Sequence, residues 1–414
     1  MKISVKKPLK AARKVLSNRR RDLLLFYILP KAYNAHSKEP VIKNKVIFVE
    51  ARLDHLDNSF EYLYRALSDH YDVDIHVHYL RETFVPYKEY VKNCKAMLAD
   101  AATAGYIFLT EASNVIGCIN KRPETKVCQL WHACGAFKKF GLSTAGELFG
   151  PDLAGHRRHP YYANLDYVTV SSPEVVWAYA EAMDLKGKEE IIRPVGVSRT
   201  DVFFREDFIN AARDKLYRIF PAARGKKVIL FAPTFRGGVS YAKTAEYFDP
   251  SLLEEALKGE YVLLTKHHPL IRELPKIDPA IEGSFAMDVT KTMTIEELLC
   301  VSDICISDYS SLIFEFSLFE RPMIFFAYDL EEYFDWRGFY YDYETLAPGP
   351  VVRTHKELCE AILGMENGFD RERVVRFKEK FMSACDGHAT ERILRMVFGA
   401  DAAKLQKDIP YDTV

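Results

Sequence analysis

Residues 304–315 read ICISDYSSLIFE and decide the fold. The first part is an apolar run of strand length. The last part is an apolar helical pattern that begins after two hydroxyl residues, Ser310 and Ser311. The stretch therefore predicts a helix N-terminus at the end of a strand, where free backbone N–H groups and the positive helix dipole can bind phosphate oxygens. Taken alone, ordinary helix capping by Asp308 and the serines also explains this pattern.

The same alternation of strand and helical patterns recurs on both sides of this stretch. Strand-like apolar runs lie at residues 46–49, 73–77, 105–109, 127–131, 167–170, 228–232, 262–265, 304–306 and 323–326. Such alternation is typical of βαβ units around parallel sheets, in which ligand-binding groups collect at the carboxyl ends of the strands. We therefore predict two successive doubly wound α/β domains that face a cleft.

The composition excludes some classes of protein. The chain has 414 residues, more than one ordinary domain holds, and its 57 lysines and arginines nearly balance 58 aspartates and glutamates. This balance argues against a nucleic-acid-binding protein. The eight cysteines are scattered without the close pairs of a zinc site or a disulfide framework, so we expect reduced thiols in a cytoplasmic protein.

The first 31 residues carry ten basic side chains and one acid, Asp22. Their longest apolar run, 23–29, is far shorter than the ~20 residues that span a bilayer, and we expect neither a transmembrane helix nor a secretory signal. Apolar side chains recur near helical spacing at Leu9, Ala12, Leu16, Leu23, Phe26 and Tyr27. This pattern predicts a basic helix that binds an anionic membrane surface and can be removed without loss of the fold. The alternative is a solvated basic helix, or one that packs on the protein.

Cationic side chains follow two further predicted strands in the second half of the chain. Arg236 follows the run at 228–232, and His268 follows the run at 262–265. An arginine can bind phosphate through two parallel hydrogen bonds, and a histidine can neutralise charge on a leaving phosphate. Each residue alone has an ordinary structural explanation. Together with the two serines they predict a shared anionic ligand.

A histidine also follows a predicted strand in the first half. His132 comes directly after the run at 127–131. An imidazole can accept a hydroxyl proton and return it within one catalytic cycle, so His132 is the candidate general base. Cys134 has no acyl-transfer constellation around it, and we interpret it as a small buried residue. The histidines within 156–159 and 267–268 have no carboxylates or thiols at ligand spacing, so we expect no metal site.

In this order, the motifs resemble those of the CDP-glycerol glycerophosphotransferase family of teichoic acid and capsule biosynthesis. The resemblance covers roughly residues 45–395. The segments that carry it are Trp131-His132 with Lys138-Lys139, and the stretches 196–201, 232–236, 266–269, 307–311, 337–339, 348–350 and 386–392. Several ordered matches are more specific than one phosphate-binding turn.

The resemblance implies a GT-B type α/β fold, with two Rossmann-like doubly wound domains facing a cleft and a basic N-terminal helix. We accordingly divide the chain into four parts. These are a basic amphipathic membrane-association segment (1–40), an N-terminal acceptor domain (41–205), a C-terminal domain for the CDP-polyol donor (206–395) and a C-terminal tail (396–414).

The resemblance also implies roles for individual residues. His132 would be the base for the acceptor hydroxyl, and His268 would act at the donor phosphates. The implied donor-binding residues are Thr234, Arg236, Lys266, Asp308, Ser310, Ser311, Glu315 and Arg337. The implied acceptor-side residues are Trp131, Lys138 and Lys139. The chain departs from the family pattern at Ala133-Cys134, where many relatives have Gly-Thr, and at Glu315, where Asp is usual.

The implied reaction transfers glycerol phosphate from CDP-glycerol to a hydroxyl of an undecaprenyl-type lipid-linked acceptor and releases CMP, at the cytoplasmic face of the membrane. The partners are then the CDP-polyol, the lipid-linked acceptor and an anionic membrane surface, with no cofactor and no nucleic acid. Three alternatives stay open: CDP-ribitol as the donor, a GT-B glycosyltransferase that uses a nucleotide sugar, and a protein that binds a nucleotide without catalysis. The sequence does not decide between a primase and a polymerase.

Overall fold

The computed structural model describes residues 16–145, 153–237, 242–245 and 247–407, with the backbone alone for 334–337. The strands of the first half are β1 (Ile42–Glu50), β2 (Asp74–Tyr79), β3 (Ala104–Leu109), β4 (Lys126–Gln129), β5 (Tyr167–Thr169) and β6 (Ile192–Arg193). Those of the second half are β7 (Lys227–Phe231), β8 (Tyr261–Thr265), β9 (Ala286–Asp288), β10 (Ile304–Ser307), β11 (Met323–Phe326) and β12 (Val351–Val352). Each predicted strand overlaps one of these. The additional strands β6, β9 and β12 have only two or three residues, too few to carry a periodic signal.

The strands form two parallel six-stranded sheets. The first has the order β2-β1-β3-β4-β5-β6, and the second has the order β12-β11-β10-β7-β8-β9. In the second sheet, β8 is buried on both faces, because Val262 and Leu264 belong to one apolar cluster and Leu263 to another. The predicted α/β class with two parallel sheets is confirmed.

Helices connect the strands, and most of them are short. Residues 16–34 form the continuous helix α1, which is π-helical over Leu24–Ile28 and α-helical over Leu29–Asn34. The next helices are α2 (Asn58–His70), α3 (Tyr87–Ala101), α4 (Asn114–Gly117), α5 (Leu153–Arg158), α6 (Val176–Ala182), α7 (Glu206–Ile219) and α8 (Ser251–Leu257). They are followed by α9 (Ile295–Val301), α10 (Leu312–Phe316), α11 (Leu330–Arg337), α12 (Tyr343–Leu346), α13 (His355–Gly368), α14 (Arg371–Phe381), α15 (Ala389–Phe398) and α16 (Ala402–Leu405).

Helix α1 packs on the protein with one face and exposes the other. Leu24, Leu25, Leu29 and Tyr33 are buried in the same apolar cluster as residues of α3. The expectation that residues 1–31 can be removed without loss of the fold is therefore wrong, because removal would uncover this cluster. In the stretch of chain for which coordinates are described, no helix is both long and apolar enough to cross a bilayer.

The outer face of α1 carries the apolar residues that the sequence analysis singled out. Leu16, Leu23, Phe26 and Tyr27 are 44 to 69% exposed. Leu9 and Ala12, and with them six of the ten basic residues, lie outside the described residues. The predicted basic membrane helix thus stays a prediction, and its described part is a helix with an exposed apolar face.

The chain returns to the first sheet at its end. Helix α15 places Ile393, Leu394, Val397 and Phe398 in the apolar cluster that contains Phe48 of β1. A helix that follows the second sheet in sequence thus covers the first sheet.

The N-terminus of α15 is held by the segment 196–201, one of the motifs on which the family resemblance rests. The buried carboxylate of Asp201 accepts hydrogen bonds from the backbone N–H groups of Ala389 (3.0 Å) and Thr390 (2.7 Å). Gly196 has φ of +94°, and a Cβ there would lie 2.2 Å from the Ala384 carbonyl oxygen. This turn therefore requires glycine.

Asp201→Ala should lower the free energy of unfolding by about 2 to 3 kcal/mol, because it leaves two buried N–H groups at a helix N-terminus without an acceptor. Asp370→Ala, which removes an exposed cap bonded to the Arg373 N–H, is the matched control and should cost about 1 kcal/mol. Urea unfolding of both variants measures the difference. Equal losses would contradict the assigned role of Asp201.

Candidate active site

His132 lies in the loop that follows β4, with its side chain 38% exposed. Its Nδ1 is 3.0 Å from the backbone carbonyl oxygen of Thr110, which follows β3. A carbonyl oxygen can only accept, so Nδ1 carries the proton of the neutral ring and Nε2 carries a lone pair. This is the protonation state that a general base needs.

A carboxylate stands beside the same nitrogen of His132. Glu111 Oε1 is 3.7 Å from His132 Nδ1, and the Glu111 side chain is 28% exposed. A carboxylate at this distance attracts the Nδ1–H and helps to hold the orientation of the ring. Glu111 was not among the predicted site residues. It follows the predicted strand at 105–109, so the signal that indicated His132, a polar residue after a strand, was also present here.

The backbone before His132 is strained. Trp131 has φ of +63°, which is unfavourable for a bulky side chain. Its buried indole stacks on the His132 ring with centroids 4.3 Å apart, and Phe140 lies against it at 5.3 Å. These contacts hold the imidazole at the end of β4. Trp131 thus lies beside His132, as its predicted place on the acceptor side requires.

The loop after His132 packs on the second domain. Gly135 has φ of +63°, and a Cβ there would lie 2.4 Å from the ring of Phe314 in α10. Lys138 pairs with Phe339 in an antiparallel bridge, and the Lys139 N–H donates to the Gly338 carbonyl (3.1 Å). Helix α10 begins directly after Ser311, so this packing brings the loop of His132 to the helix that the two serines precede.

His268 follows β8 and is exposed. The backbone N–H of Leu270 donates to its Nδ1 (3.2 Å), and its ring lies 4.8 Å from that of Phe235. Because Nδ1 accepts a hydrogen bond, the proton of the neutral ring is on Nε2. His268 can therefore donate a hydrogen bond from Nε2, whereas His132 can accept a proton there.

Arg236 is surrounded by acidic and aromatic side chains. Its Nε and Nη2 donate to both oxygens of Asp329 (2.5 and 2.9 Å), and its Nη1 is 2.9 Å from Asp308 Oδ2. The rings of Tyr309 and Tyr333 lie 5.1 and 5.3 Å from its guanidinium carbon. The carboxylates of Asp308 and Asp329 thus already neutralise the Arg236 guanidinium, which the sequence predicted to bind the donor. The structure supports a positioning role for Arg236 most directly.

Asp308 and Thr234 hold the ends of β10 and β7 together. Asp308 is buried, and its Oδ1 accepts from the backbone N–H groups of Thr234 (2.8 Å) and Tyr309 (2.6 Å). The Thr234 hydroxyl is buried and has no hydrogen-bond partner among the described atoms. Asp308 therefore stabilises the two loops through these hydrogen bonds, and its predicted contact with the donor stays a prediction. The Thr234 hydroxyl has almost no accessible surface, so its predicted contact with the donor stays a prediction.

Lys266 is also engaged by the protein. Its Nζ donates to the carbonyl oxygens of Thr290 (2.7 Å) and Met293 (2.6 Å). Burial lowers the pKa of this ammonium group, and nearby acidic side chains such as Glu296 oppose the shift. Lys266 therefore anchors the turn before α9, and its predicted contact with the donor stays a prediction.

Ser310 and Ser311 are partly exposed and precede α10, as the sequence predicts. The N–H of Leu312 donates to Ser310 Oγ (3.4 Å). Three residues further on, Glu315 is buried and accepts from Nε (2.7 Å) and Nη2 (2.6 Å) of Arg199. The partly exposed serines thus precede α10, and their predicted contact with the donor stays a prediction, whereas Glu315 fastens α10 to the segment 198–204. Arg337 ends α11, and its side chain lies outside the described part of the structure.

A cavity of about 590 Å³ lies beside these loops at the carboxyl edge of the second sheet. Tyrosines and charged residues line it, among them Arg236, Lys243, Tyr247, Tyr328, Asp329 and Tyr333. Asp329 follows β11 and was not among the predicted site residues. Of the predicted residues, Arg236 lines the cavity. The other predicted residues that follow β7, β8 and β10 at this edge are Thr234, Lys266, His268, Asp308, Ser310 and Ser311.

Comparison with known proteins adds independent evidence. A sequence model of the family described as CDP-Glycerol:Poly(glycerophosphate) glycerophosphotransferase matches residues 31–399. The chain is 34% identical over 358 residues to the teichoic acid ribitol-phosphate primase of Bacillus spizizenii, covering 86% of this chain and 90% of that protein. It is 30% identical over 305 residues to the teichoic acid glycerol-phosphate primase of Bacillus subtilis, covering 74% of each.

Solved structures share the fold. The wall teichoic acid polymerase TagF superposes with a TM-score of 0.69 at 22% identity, covering 96% of this chain and 98% of that one. A TagF variant soaked with CDPG superposes with a TM-score of 0.70 at 21% identity and the same coverage. These superpositions confirm an α/β fold of GT-B-like form with two parallel six-stranded sheets.

Proposed function

Because the chain belongs to the CDP-glycerol:poly(glycerophosphate) glycerophosphotransferase family, we propose that it transfers a polyol phosphate from a CDP-polyol to a hydroxyl of a lipid-linked teichoic acid acceptor and releases CMP. The observation that carries the proposal is the pair of opposite backbone contacts at the two imidazoles. The Thr110 carbonyl oxygen lies 3.0 Å from His132 Nδ1, whereas the Leu270 N–H donates to His268 Nδ1. These contacts leave His132 Nε2 to accept a proton and His268 Nε2 to donate a hydrogen bond, and a transfer of this kind uses a base for the attacking hydroxyl and stabilising groups at the leaving phosphate.

In the proposed reaction His132 is the base. The acceptor hydroxyl gives its proton to His132 Nε2 as its oxygen bonds to the phosphorus that carries the polyol. The bond from that phosphorus to the bridging oxygen breaks, and CMP leaves with the bridging electrons. The imidazolium is stabilised by the Thr110 carbonyl and by Glu111, which adjoin its Nδ1.

The second domain binds the donor diphosphate. His268 Nε2–H donates to an oxygen of the departing CMP, whose charge grows as the bond breaks. The hydroxyls of Ser310 and Ser311 add hydrogen bonds to the phosphates. Arg236 acts through Asp308 and Asp329, because its contacts with these carboxylates hold the ends of β7, β10 and β11 in place.

Two polyols are candidates for the polyol part of the donor. Glycerol is the polyol in the family's description, and CDP-glycerol is the first candidate. CDP-ribitol is the second candidate, because the identity is 34% to the ribitol-phosphate primase and 30% to the glycerol-phosphate primase. Parallel assays with both donors and a lipid-linked disaccharide acceptor, with CMP release as readout, distinguish them.

A lipid-linked acceptor would bring the enzyme to a membrane. The exposed apolar face of α1, with Leu23, Phe26 and Tyr27, can enter the headgroup region while Arg19 and Arg20 attract anionic lipid. The opposite face of α1 is buried, so the helix can serve as an anchor that is fixed to the acceptor domain.

His132→Ala should lower turnover by ~10² to 10⁴ and leave the donor Kd nearly unchanged, because the base is lost while the donor loops are intact. CMP release and calorimetry with the CDP-polyol measure the two quantities. The control is His55→Ala, since His55 is an exposed histidine bonded to Asp54. Near-wild-type turnover of the His132 variant would remove this residue from the mechanism.

His268→Ala should raise the donor Kd and lower turnover by ~10² or more, because the departing phosphate loses a hydrogen-bond donor. His268→Gln should recover part of both losses, since an amide N–H can donate over a similar reach. The same two assays apply. Turnover and donor Kd close to the wild-type values in both variants, with no difference between glutamine and alanine, would contradict the assignment.

Leu23→Ser/Tyr27→Ser should reduce sedimentation with anionic liposomes at low salt several-fold without unfolding the protein, because both side chains are exposed. The matched control is Leu252→Ser/Leu363→Ser, which removes two exposed apolar side chains of the second domain. Equal sedimentation of the α1 variant and the control would contradict the proposed membrane attachment.

A further inference from the structure

Two histidines and an aspartate meet on the first sheet, away from the candidate active site. His76 and His78 lie two residues apart on β2, so they share one face of this edge strand. Asp100 is in the last turn of α3. The His76 Nδ1 and the His78 Nε2 are 2.7 and 2.8 Å from the same oxygen, Asp100 Oδ2. The three ligand atoms lie within 4.8 Å of one another.

This cluster is separated from the site around His132. In the sheet order β2-β1-β3-β4, three strand spacings lie between the histidines on β2 and the strand that precedes His132. At about 4.8 Å per spacing this distance is about 14 Å. The cluster therefore has no part in the proposed reaction. The sequence analysis considered other histidine groups and did not pair His76-x-His78 with an aspartate on the following helix.

Both ring nitrogens of His76 face carboxylate oxygens. Its Nε2 is 3.0 Å from Asp74 Oδ2, and its Nδ1 faces Asp100 Oδ2. Both acceptors are carboxylates, which have no proton to offer when ionised. A neutral imidazole has only one N–H, so one nitrogen would turn its lone pair toward a carboxylate oxygen. A metal ion bound at Nδ1 removes that repulsion and leaves the single N–H on Nε2, where it can donate to Asp74.

The surroundings resemble the outer shell of a metal site. Metal-bound histidines usually donate their other ring N–H to a carboxylate, and Asp74 is in this position for His76. The second oxygen of Asp100 is paired with the Lys45 ammonium, which also donates to Thr103 Oγ1 (3.0 Å). Asp100 can therefore bind a cation through Oδ2 while Lys45 fixes Oδ1.

The position of Asp100 on α3 also favours a cation. An acidic side chain in the last turn of a helix lies near the negative end of the helix dipole, where positive charge is favoured. Asp100 Oδ2 is thus placed to act as a ligand beside the two histidines.

We propose that His76, His78 and Asp100 form a binding site for a divalent transition-metal ion, of which Zn²⁺ is the best match. Two imidazoles and one carboxylate, with a water as fourth ligand, are a common zinc set. Metal–ligand distances of about 2.0 to 2.2 Å require the ligand atoms to separate by about half an ångström. The ion would connect the edge strand β2 to α3 in the first domain.

The test uses the full-length, tag-free protein after treatment with a chelator. Calorimetric titration with ZnCl₂ should give one site per chain, and Co²⁺ should give the visible absorption of a four- or five-coordinate site. His76→Gln/His78→Gln should weaken Zn²⁺ binding ~100-fold or more. Asp74→Asn should weaken it about tenfold, the usual effect of losing an outer-shell carboxylate.

His36→Gln/His55→Gln is the matched control, because each of these exposed histidines is bonded to one carboxylate, Glu39 or Asp54. It should bind Zn²⁺ like wild type. Circular dichroism without metal checks that the variants are folded, and single His78→Gln replaces the double variant if that one is not. Absence of a stoichiometric site in the wild type, or equal binding by the His76/His78 and control variants, would overturn the proposal.

Discussion

The buried ion pair between Arg199 and Glu315 is the contact on which the arrangement of the site depends. Removal of one partner from such a pair costs about 3 to 5 kcal/mol, because an uncompensated charge is left in the interior. Glu315 belongs to α10, which begins after the two serines, and the preceding residue Phe314 lies directly against Gly135 in the loop of His132. One short helix thus connects the loop of His132, the proposed base, with the loops of the second sheet that we propose to bind the donor phosphates.

The two histidines differ because the backbone presents them with opposite partners. A carbonyl oxygen faces Nδ1 of His132, and a backbone N–H faces Nδ1 of His268. Fixed backbone groups therefore assign one ring to accept a proton and the other to donate a hydrogen bond, before any substrate binds. Such preorganisation suits a transfer in which the protein positions groups and stabilises charge without forming covalent bonds.

The sequence predicted the fold and the positions of His132 and His268 after strands, because both follow from local patterns. Apolar runs of four or five residues locate the central strands, and His132 and His268 each follow one of them. Contacts between distant segments were beyond this reasoning. Arg236 and Lys266 were predicted to face the donor, whereas Asp329 and the carbonyls of Thr290 and Met293 bind them. The packing of α1 on the protein was only an alternative for the same reason, since its partners on α3 lie about sixty residues further along the chain.

The most direct test of the account is mass spectrometry of the lipid-linked acceptor after incubation with the enzyme and each candidate donor. The account predicts that the acceptor gains one or more glycerol phosphate or ribitol phosphate units from a CDP-polyol, with CMP as the nucleotide product. An acceptor that is unchanged by both CDP-polyols but gains a sugar from a UDP- or GDP-sugar would contradict it. That result would make the protein a glycosyltransferase that uses the same two-domain fold.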